Sequence, residues 1–470
     1  MITVSTWYTT LNNLSEASAS QQIWDIWQTT WDRSGLFTSL APSTPINFVS
    51  PGAIGSADIV VDDSSVFQTV YGFGGSLTDS AAELLNNLKT TNSNNYWALL
   101  DYLFSPTDGA NAAGLNYIRV PLGASDFSAS VYNYDETSGD TSFNNFNINA
   151  APSYVFSVLQ DIKSVNSSRV DEDFWVHGWR VVIVQRSHLL RHIPLQIPTG
   201  LSDDTTYPSC TMSVAVEAQI GMALRSMMNN NGFGAVKIIG FDHNCISLLR
   251  VSEQAAFQTA FPNKEIYFTE CTGSLGSDWW SDIKWYMDNI FIGALSYGAS
   301  TGLMWNLALD GNGNPFLPGS DSCGGGCRGI VQINSDGTYS VNQEFYSMAQ
   351  ASKAIIPKDV GGPFGQRIGV TIGGELSWAL IVGAYVTGRV NPTDWLRYSI
   401  VVLNWDDTNN GSWDPVAVPT TIEFRGMQAS YTFPVGVTTL WWFAPETSLN
   451  STNAESYAFE HDNFYTLRAS

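Results

Sequence analysis

The 470-residue chain has few charged side chains, few cysteines and no long apolar run. Only 14% of its residues are charged, yet the formal net charge is −22. This acidic balance disfavours a nucleic-acid partner, because nothing would neutralise the phosphates. No apolar segment reaches the length needed to span a membrane. These absences favour a large globular protein whose partner is neutral, such as a sugar.

The chain has five cysteines, which are too few for a disulfide scaffold. Cys323 and Cys327, in "SCGGGCRG", are close enough to bridge across a glycine-rich turn, and both the bridge and two free thiols stay open. A metal site needs more ligands than this spacing offers, so we expect no metal. The pair and four Asn-X-Ser/Thr sequons favour secretion. The first residues lack the basic and apolar regions of a signal peptide. We expect an extracellular monomer.

Three regions differ in their pattern. Residues 1–45 read as a loose, Ser/Thr-rich lead-in. Residues 46–356 alternate strand-like and helix-like segments, which predicts an α/β fold and, within that class, a (β/α)8 TIM barrel. Residues 357–470 contain short strands between Gly, Asn, Asp or Pro, which predicts an antiparallel β-sandwich. We expect strands from 46–70 to join this second domain.

Polar side chains collect at the ends of predicted barrel strands, where the site of such a barrel lies. They are Asp79, Asp126, His243, Glu270 and Asn306. Each also has a purely structural interpretation. Asp79 precedes a helix, and we favour it as the N-cap of that helix. His243 is better explained as a hydrogen-bonded structural histidine than as a base.

Glu270 has the strongest functional case of these residues. It ends "EIYFTE", a run of strand formers that leaves the carboxylate no solvated face. A carboxylate held among aromatic side chains suits nucleophilic attack on an anomeric carbon. Arg119 lies in the middle of another predicted strand. It would need a buried acidic partner, and we expect it to be structural.

From about residue 66 onwards the sequence resembles glycoside hydrolase family 30. The resemblance rests on motifs in the same order: "YGFGGSLTDSAA", "YIRVPLGASDFS", "TYPSC", "GFDHN", "IYFTECTG", "MWNLALDGNG" and "NQEFYSMAQASKAIIPK". It implies a barrel with a β-sandwich and a retaining, two-carboxylate mechanism on β-linked glucose. It implies no cofactor. In detail, the sequence most resembles the fungal endo-β-1,6-glucanase branch, and glucosylceramidases belong to the same family.

The resemblance also implies roles for individual residues. Glu270 matches the nucleophile, Asp126 and Phe127 match a glucose-binding pair, and Trp305 matches the aromatic platform beneath the sugar. Further substrate-binding candidates are Asn306, Asp79 and His243.

The second carboxylate is missing where the resemblance requires it. The family's acid/base is the Glu of an Asn-Glu-Pro motif shortly before "TYPSC". This chain has "PLQIPTGLSDDTTYPSC", and no acidic residue occurs from Phe174 to Ser202. Asp203 and Asp204 are the nearest substitutes, although Asp is shorter than Glu.

Two segments, about 170–206 and 245–258, look aberrant or shortened for the family. The first contains a basic cluster formed by His177, Arg180, Arg186, His188, Arg191 and His192. A functional interpretation is a loop that recruits an acidic glycan or lipid headgroup. We favour the alternative that the segment is not native coding sequence, as in a mis-spliced gene model. Three functions therefore stay open: an endo-β-1,6-glucanase, a glucosylceramidase, and a non-catalytic glucan-binding relative.

Overall fold

The computed structural model describes residues 22–49, 55, 57–121, 123–135, 137, 144–166, 180–184, 222, 226, 229–230, 251–318, 320, 323 and 325–446. Of the candidate site residues, Asp203, Asp204 and His243 lie outside this set. Within the described ranges, no helix is both long and apolar enough to cross a bilayer.

The strands in chain order are β1 (Gln22–Ile23), β2 (Asp25–Thr30), β3 (Thr38–Ser39), β4 (Ile46–Asn47), β5 (Ala57–Thr69), β6 (Gly72–Ser76), β7 (Tyr117–Pro121), β8 (Arg180–Val184), β9 (Ile266–Phe268), β10 (Gly273–Ser274), β11 (Ala299–Asn306), β12 (Ala308–Leu309), β13 (Cys327–Arg328), β14 (Val331–Ile333), β15 (Tyr339–Val341), β16 (Gln366–Gly374), β17 (Leu380–Thr387), β18 (Leu396–Asn404), β19 (Thr408–Asn409), β20 (Ser412–Trp413), β21 (Val418–Phe424), β22 (Met427–Phe433) and β23 (Gly436–Ala444). The α-helices are α1 (Asp79–Thr91), α2 (Ser93–Phe104), α3 (Ser153–Val165), α4 (Val251–Ala260), α5 (Trp279–Tyr286), α6 (Gly293–Ser296) and α7 (Gln343–Ile355).

A curled parallel sheet carries the strand ends that the sequence singled out. Its strand order is β8-β7-β6-β11-β9, and every pairing in it is parallel. All eight residues of β11 are buried, as expected for a parallel strand covered on both faces. Arg119 of β7 contacts Glu270, just after β9, although β6 and β11 lie between those strands. Such a contact requires curvature, in agreement with the predicted barrel.

A second, nine-stranded sheet has the order β22-β21-β5-β16-β17-β18-β23-β2-β3. β5 pairs antiparallel with β16 and parallel with β21, so residues 57–69 are part of this sheet. The ring of Phe424 on β21 lies 5.3 Å from that of Trp442 on β23, although four strands separate them. The described strands therefore form one continuous sheet curled over its own core, where the sequence predicted a sandwich.

The predicted loose lead-in is wrong for the part of residues 1–45 that the structure describes. All six residues of β2 are buried, and β2 pairs antiparallel with β23. Its two faces meet different cores: Ile26 packs in the core enclosed by the curled sheet, and Trp27 packs in the core shared with the barrel. Because both faces are covered, the polar residues of β2 are buried as well. The sequence of β2 therefore lacks the alternation of apolar and polar residues that would identify a strand.

Helix α7 joins the barrel to the nine-stranded sheet. All thirteen of its residues are buried. The Gln350 amide hydrogen-bonds the hydroxyls of Thr29 and Thr439, and the Ser399 hydroxyl donates to the Ala354 carbonyl at 2.8 Å. These bonds satisfy polar groups that would otherwise be costly to bury. The two sheets therefore share one core.

Candidate active site

Glu270 lies two residues beyond β9, at the carboxyl end of the parallel sheet. It is buried, and its Oε2 accepts a hydrogen bond from Nη1 of Arg119 at 2.5 Å. Arg119 is 1% exposed, and Nη1 also donates to the Thr269 carbonyl at 3.3 Å. The hydrogen bond from the guanidinium orients the carboxylate, which is the group that would attack an electrophile. Arg119 therefore has the acidic partner that the sequence required, and that partner is the candidate nucleophile.

Trp305, on β11, packs against this ion pair. The Arg119 guanidinium carbon lies 4.6 Å from the Trp305 ring centroid, a cation–π arrangement. The Trp305 backbone N–H donates to the Cys271 carbonyl at 2.6 Å, which ties the end of β11 to the residue after Glu270. The ring of Phe127 meets that of Trp305 edge-on at 6.4 Å, and Phe316 meets Phe127 at 6.5 Å. The site thus has an aromatic wall beside its carboxylate.

Asp79 does not cap helix α1, so that prediction is wrong. The N-cap is Thr78, whose hydroxyl accepts a hydrogen bond from the Ala81 N–H at 3.2 Å. The buried Asp79 carboxylate instead accepts from the Ser128 hydroxyl at 2.7 Å and from the Tyr132 hydroxyl at 3.1 Å. Burial raises the pKa of Asp79, and these two hydrogen bonds oppose that increase. Asp79 is therefore available to the site as a buried, oriented carboxylate.

Asn306 and Asp126 complete the candidate residues that the structure describes. The Asn306 Oδ1 accepts from the Thr78 hydroxyl at 3.0 Å. Its buried Nδ2 has no hydrogen-bond partner within the described part of the chain. Asp126 is buried, and its backbone carbonyl accepts from the Leu317 N–H and the Ser320 hydroxyl. These bonds fasten the loop after β7 to the loop after β12.

A buried ionic network supports the chain just beyond Glu270. Arg328 donates to both carboxylate oxygens of the fully buried Glu344 and contacts Asp282 at 2.5 Å. It also donates to the Ser274 carbonyl, and β10 pairs with β13 at this point. Burial raises the pKa of Glu344, and its bonds to Arg328 oppose the increase. This network anchors the segment that follows Glu270.

Cys323 and Cys327 are disulfide-bonded, with their Cα atoms 5.2 Å apart. Both side chains pack with Phe127 and Trp305 in one small cluster. The bridge therefore closes the glycine-rich turn against the aromatic wall.

The structure thus brings together Glu270, Arg119 and Trp305 and orients Asp79 and Asn306 from neighbouring strand ends. Sequence reasoning missed the residues that hold them, namely Ser128, Tyr132, Phe316 and Arg328. Ser128 lies inside the "SDFS" motif and could have been noticed there. Phe316 and Arg328 follow turns with no periodic pattern, so only the folded chain reveals their contacts.

Comparison with known proteins agrees with this geometry. Residues 70–166 match the glycosyl hydrolase family 30 TIM-barrel domain. An endo-1,6-beta-D-glucanase of Neurospora crassa is 26% identical over 379 residues, covering 65% of this chain and 74% of that protein. The lysosomal acid glucosylceramidase of Mus musculus is 38% identical over 82 residues, covering 17% of this chain and 15% of that protein.

A solved endo-beta1,6-glucanase shares the fold, with a TM-score of 0.66 at 21% identity, covering 89% of this chain and 99% of that one. The curled parallel sheet, the family match and these relatives together place the protein among the glycosidases. Residues 70–166 therefore belong to the glycosyl hydrolase family 30 TIM-barrel domain.

Proposed function

We propose that the chain is a retaining endo-β-1,6-glucanase that uses Glu270 as its nucleophile. The observation that carries the proposal is the buried ion pair between Glu270 and Arg119 beside Trp305. Burial limits the access of water to the carboxylate, and the guanidinium that binds it lies against the Trp305 indole. The coverage and identity of the Neurospora crassa endo-1,6-beta-D-glucanase support the substrate.

The reaction follows in two displacements. A Glu270 oxygen attacks the anomeric carbon, the glycosidic bond breaks, and the leaving oxygen takes a proton from a general acid. Water then attacks the same carbon, the bond to Glu270 breaks, and the water proton passes to the conjugate base of that acid. Two inversions give net retention. No step requires a cofactor.

The acid/base is the part of the proposal that rests on sequence alone. Asp203 and Asp204 are the candidates, and both lie outside the described residues. If neither supplies the proton, the loss of general-acid catalysis costs about 10² to 10⁴-fold in rate for an ordinary leaving group. An aryl glucoside with a very good leaving group largely avoids this cost.

We also propose that the protein is extracellular, because the disulfide between Cys323 and Cys327 would persist in an oxidising environment. A glucosylceramidase is the second candidate function. The 82 residues that align at 38% identity with the mouse lysosomal acid glucosylceramidase favour it. Turnover of a glucosyl lipid, with no release of sugar from β-1,6-glucan, would select this alternative.

The test is hydrolysis of an activated aryl β-glucoside with and without azide, followed by product analysis by NMR. We expect turnover, and a β-configured glucosyl azide if azide intercepts the intermediate. Acceleration by azide would indicate that the base is missing, and its absence would indicate a working base. Glu270→Gln should reduce turnover by about 10⁴-fold or more. No turnover under either condition, in a folded protein, would refute the proposal and leave a non-catalytic relative.

A further inference from the structure

Four tryptophans lie in a row at one end of the strands of the nine-stranded sheet: Trp31, Trp378, Trp405 and Trp413. The first follows the end of β2, and Trp405 follows the end of β18. Trp31 and Trp405 lie at the same end of the sheet, because the residues before them, Thr30 and Asn404, both pair with Gly436. Leu380, two residues after Trp378, pairs with Asn404. With strands about 4.8 Å apart, the row spans roughly 15 Å.

The outer two tryptophans are more exposed than the inner two. Trp378 is 57% exposed and Trp413 is 49% exposed. The Trp405 indole N–H donates to the Trp378 carbonyl at 2.7 Å, and the Trp31 ring meets the Trp413 ring edge-on at 4.8 Å. Exposed aromatic side chains that lie side by side mark interaction surfaces.

The groups around the row suit a neutral ligand with many hydroxyls. Asp32, Asn409 and Asp414 supply carboxylate and amide groups on the two adjoining turns. These are short, planar side chains that pair with hydroxyls. The net charge of −22 opposes an acidic ligand. A polysaccharide matches both the aromatic faces and this polar rim.

The row is joined to the catalytic side of the barrel. Helix α5 begins nine residues after Glu270, and its first turn contacts the row's turns. The Trp280 indole N–H donates to Asp407 at 2.6 Å, and the Arg33 guanidinium lies 4.6 Å from the Trp279 ring. The start of that helix follows the loop after β9, so the row adjoins the face of the barrel that carries Glu270.

We propose that these four tryptophans form a second binding surface, which holds a β-glucan chain outside the catalytic cleft. The inference rests on the proposed function, since it adds a polymer-binding surface to a glucanase. A single glucoside would not reach the row. Binding and hydrolysis of the polymer should depend on the row, and hydrolysis of small aryl glucosides should not.

The test uses the full chain with Trp378→Ala and Trp413→Ala combined. Trp285→Ala is the matched control, because Trp285 is 40% exposed and lies near the other end of α5. Retention on insoluble β-1,6-glucan is measured by depletion from solution. We expect about tenfold weaker retention for the double variant and unchanged retention for the control. Equal melting temperatures would exclude unfolding as the cause.

Turnover provides the second readout. The double variant should lose activity on insoluble glucan and keep wild-type kcat/KM on the aryl glucoside. Retention equal to that of the wild type would overturn the proposal, whatever the activity. The retention assay still tests the binding surface if the chain hydrolyses nothing, because retention on glucan requires no catalysis. Loss of retention without any turnover would refute the glucanase and preserve the binding surface.

Discussion

Arg119 Nη1 lies 2.5 Å from Glu270 Oε2, although two strands of the parallel sheet separate β7 from β9. Both side chains are at most 10% exposed. Each charge therefore helps to stabilise the other, because water contributes little at this depth. The same bond serves the fold, by bracing the curl of the sheet, and the site, by orienting the carboxylate.

Replacing one partner should destabilise the protein strongly. We expect Arg119→Met to lower the free energy of unfolding by about 3–5 kcal/mol, because Glu270 would remain buried without its partner. Urea unfolding measures the change. Combining it with Glu270→Gln should cost less than the two single changes added together. Additive costs would show that the two residues do not interact.

Gly273 should tolerate no side chain. A Cβ there would lie 2.0 Å from Oε1 of Glu344 and 2.6 Å from Nη2 of Arg328, which have no room to move. We expect Gly273→Ala to cost about 1–3 kcal/mol of stability and to lower kcat, because the segment carrying Glu270 would shift. Gly325→Ala is the matched control, since nothing lies within 4 Å of its Cβ position. Equal stability of the two variants would contradict this account.

Lys353 should make stability depend on alkaline pH. It lines a small cavity with Asp25, Asp108 and Arg397, and burial lowers its pKa from 10.5 to about 8, against the attraction of the two carboxylates. Between these values the unfolded chain binds more protons than the folded one, so stability rises with pH. The cost of charging Lys353 is fully present below pH 8.

The matched variant is Lys353→Met, compared with the wild type from pH 7 to pH 10.5. The wild type should gain about 3 kcal/mol relative to the variant across that window. Chemical denaturation at each pH measures the difference. A constant difference would show that the lysine has an ordinary pKa.

Thr78 should matter more to helix α1 than Asp79. We expect Thr78→Ala to lower the free energy of unfolding by about 1 kcal/mol through loss of the cap, with a further loss from its bond to Asn306. Thr78→Ser should preserve most of the stability. Thermal unfolding of the pair checks this. If the Ala and Ser variants have the same melting temperature, the hydroxyl has no capping role.

The sequence predicts the parts of this protein whose local patterns are unambiguous. Strand β11 contains the apolar run from Leu303 to Trp305, and α1 and α3 bury residues at helical spacing, so the type of each element follows from burial on regular faces. Glu270 was found because a strand ended on a carboxylate.

Other features depend on contacts that no local pattern reveals. Helix α7 carries Glu344, Gln350 and Lys353, which suggests a solvent-facing side, yet every residue is buried between two sheets. Strand β2 reads as a linker because its polar residues pair with distant partners. The sequence indicates that Arg119 needs a buried acidic partner but not which one, because that partner lies 151 residues further along the chain.

The strand order of the larger sheet has a consequence for synthesis. Strand β2, near the beginning of the chain, lies between β3 and β23, and β23 is the last strand of the described chain. At about 5–20 residues per second, the ribosome needs roughly 20 to 90 s to reach β23 after making β2. Throughout that interval β2 can pair with β3, but the edge of β2 that meets β23 stays open. The nascent chain therefore exposes an unpaired strand edge, which chaperones can protect, until β23 has emerged.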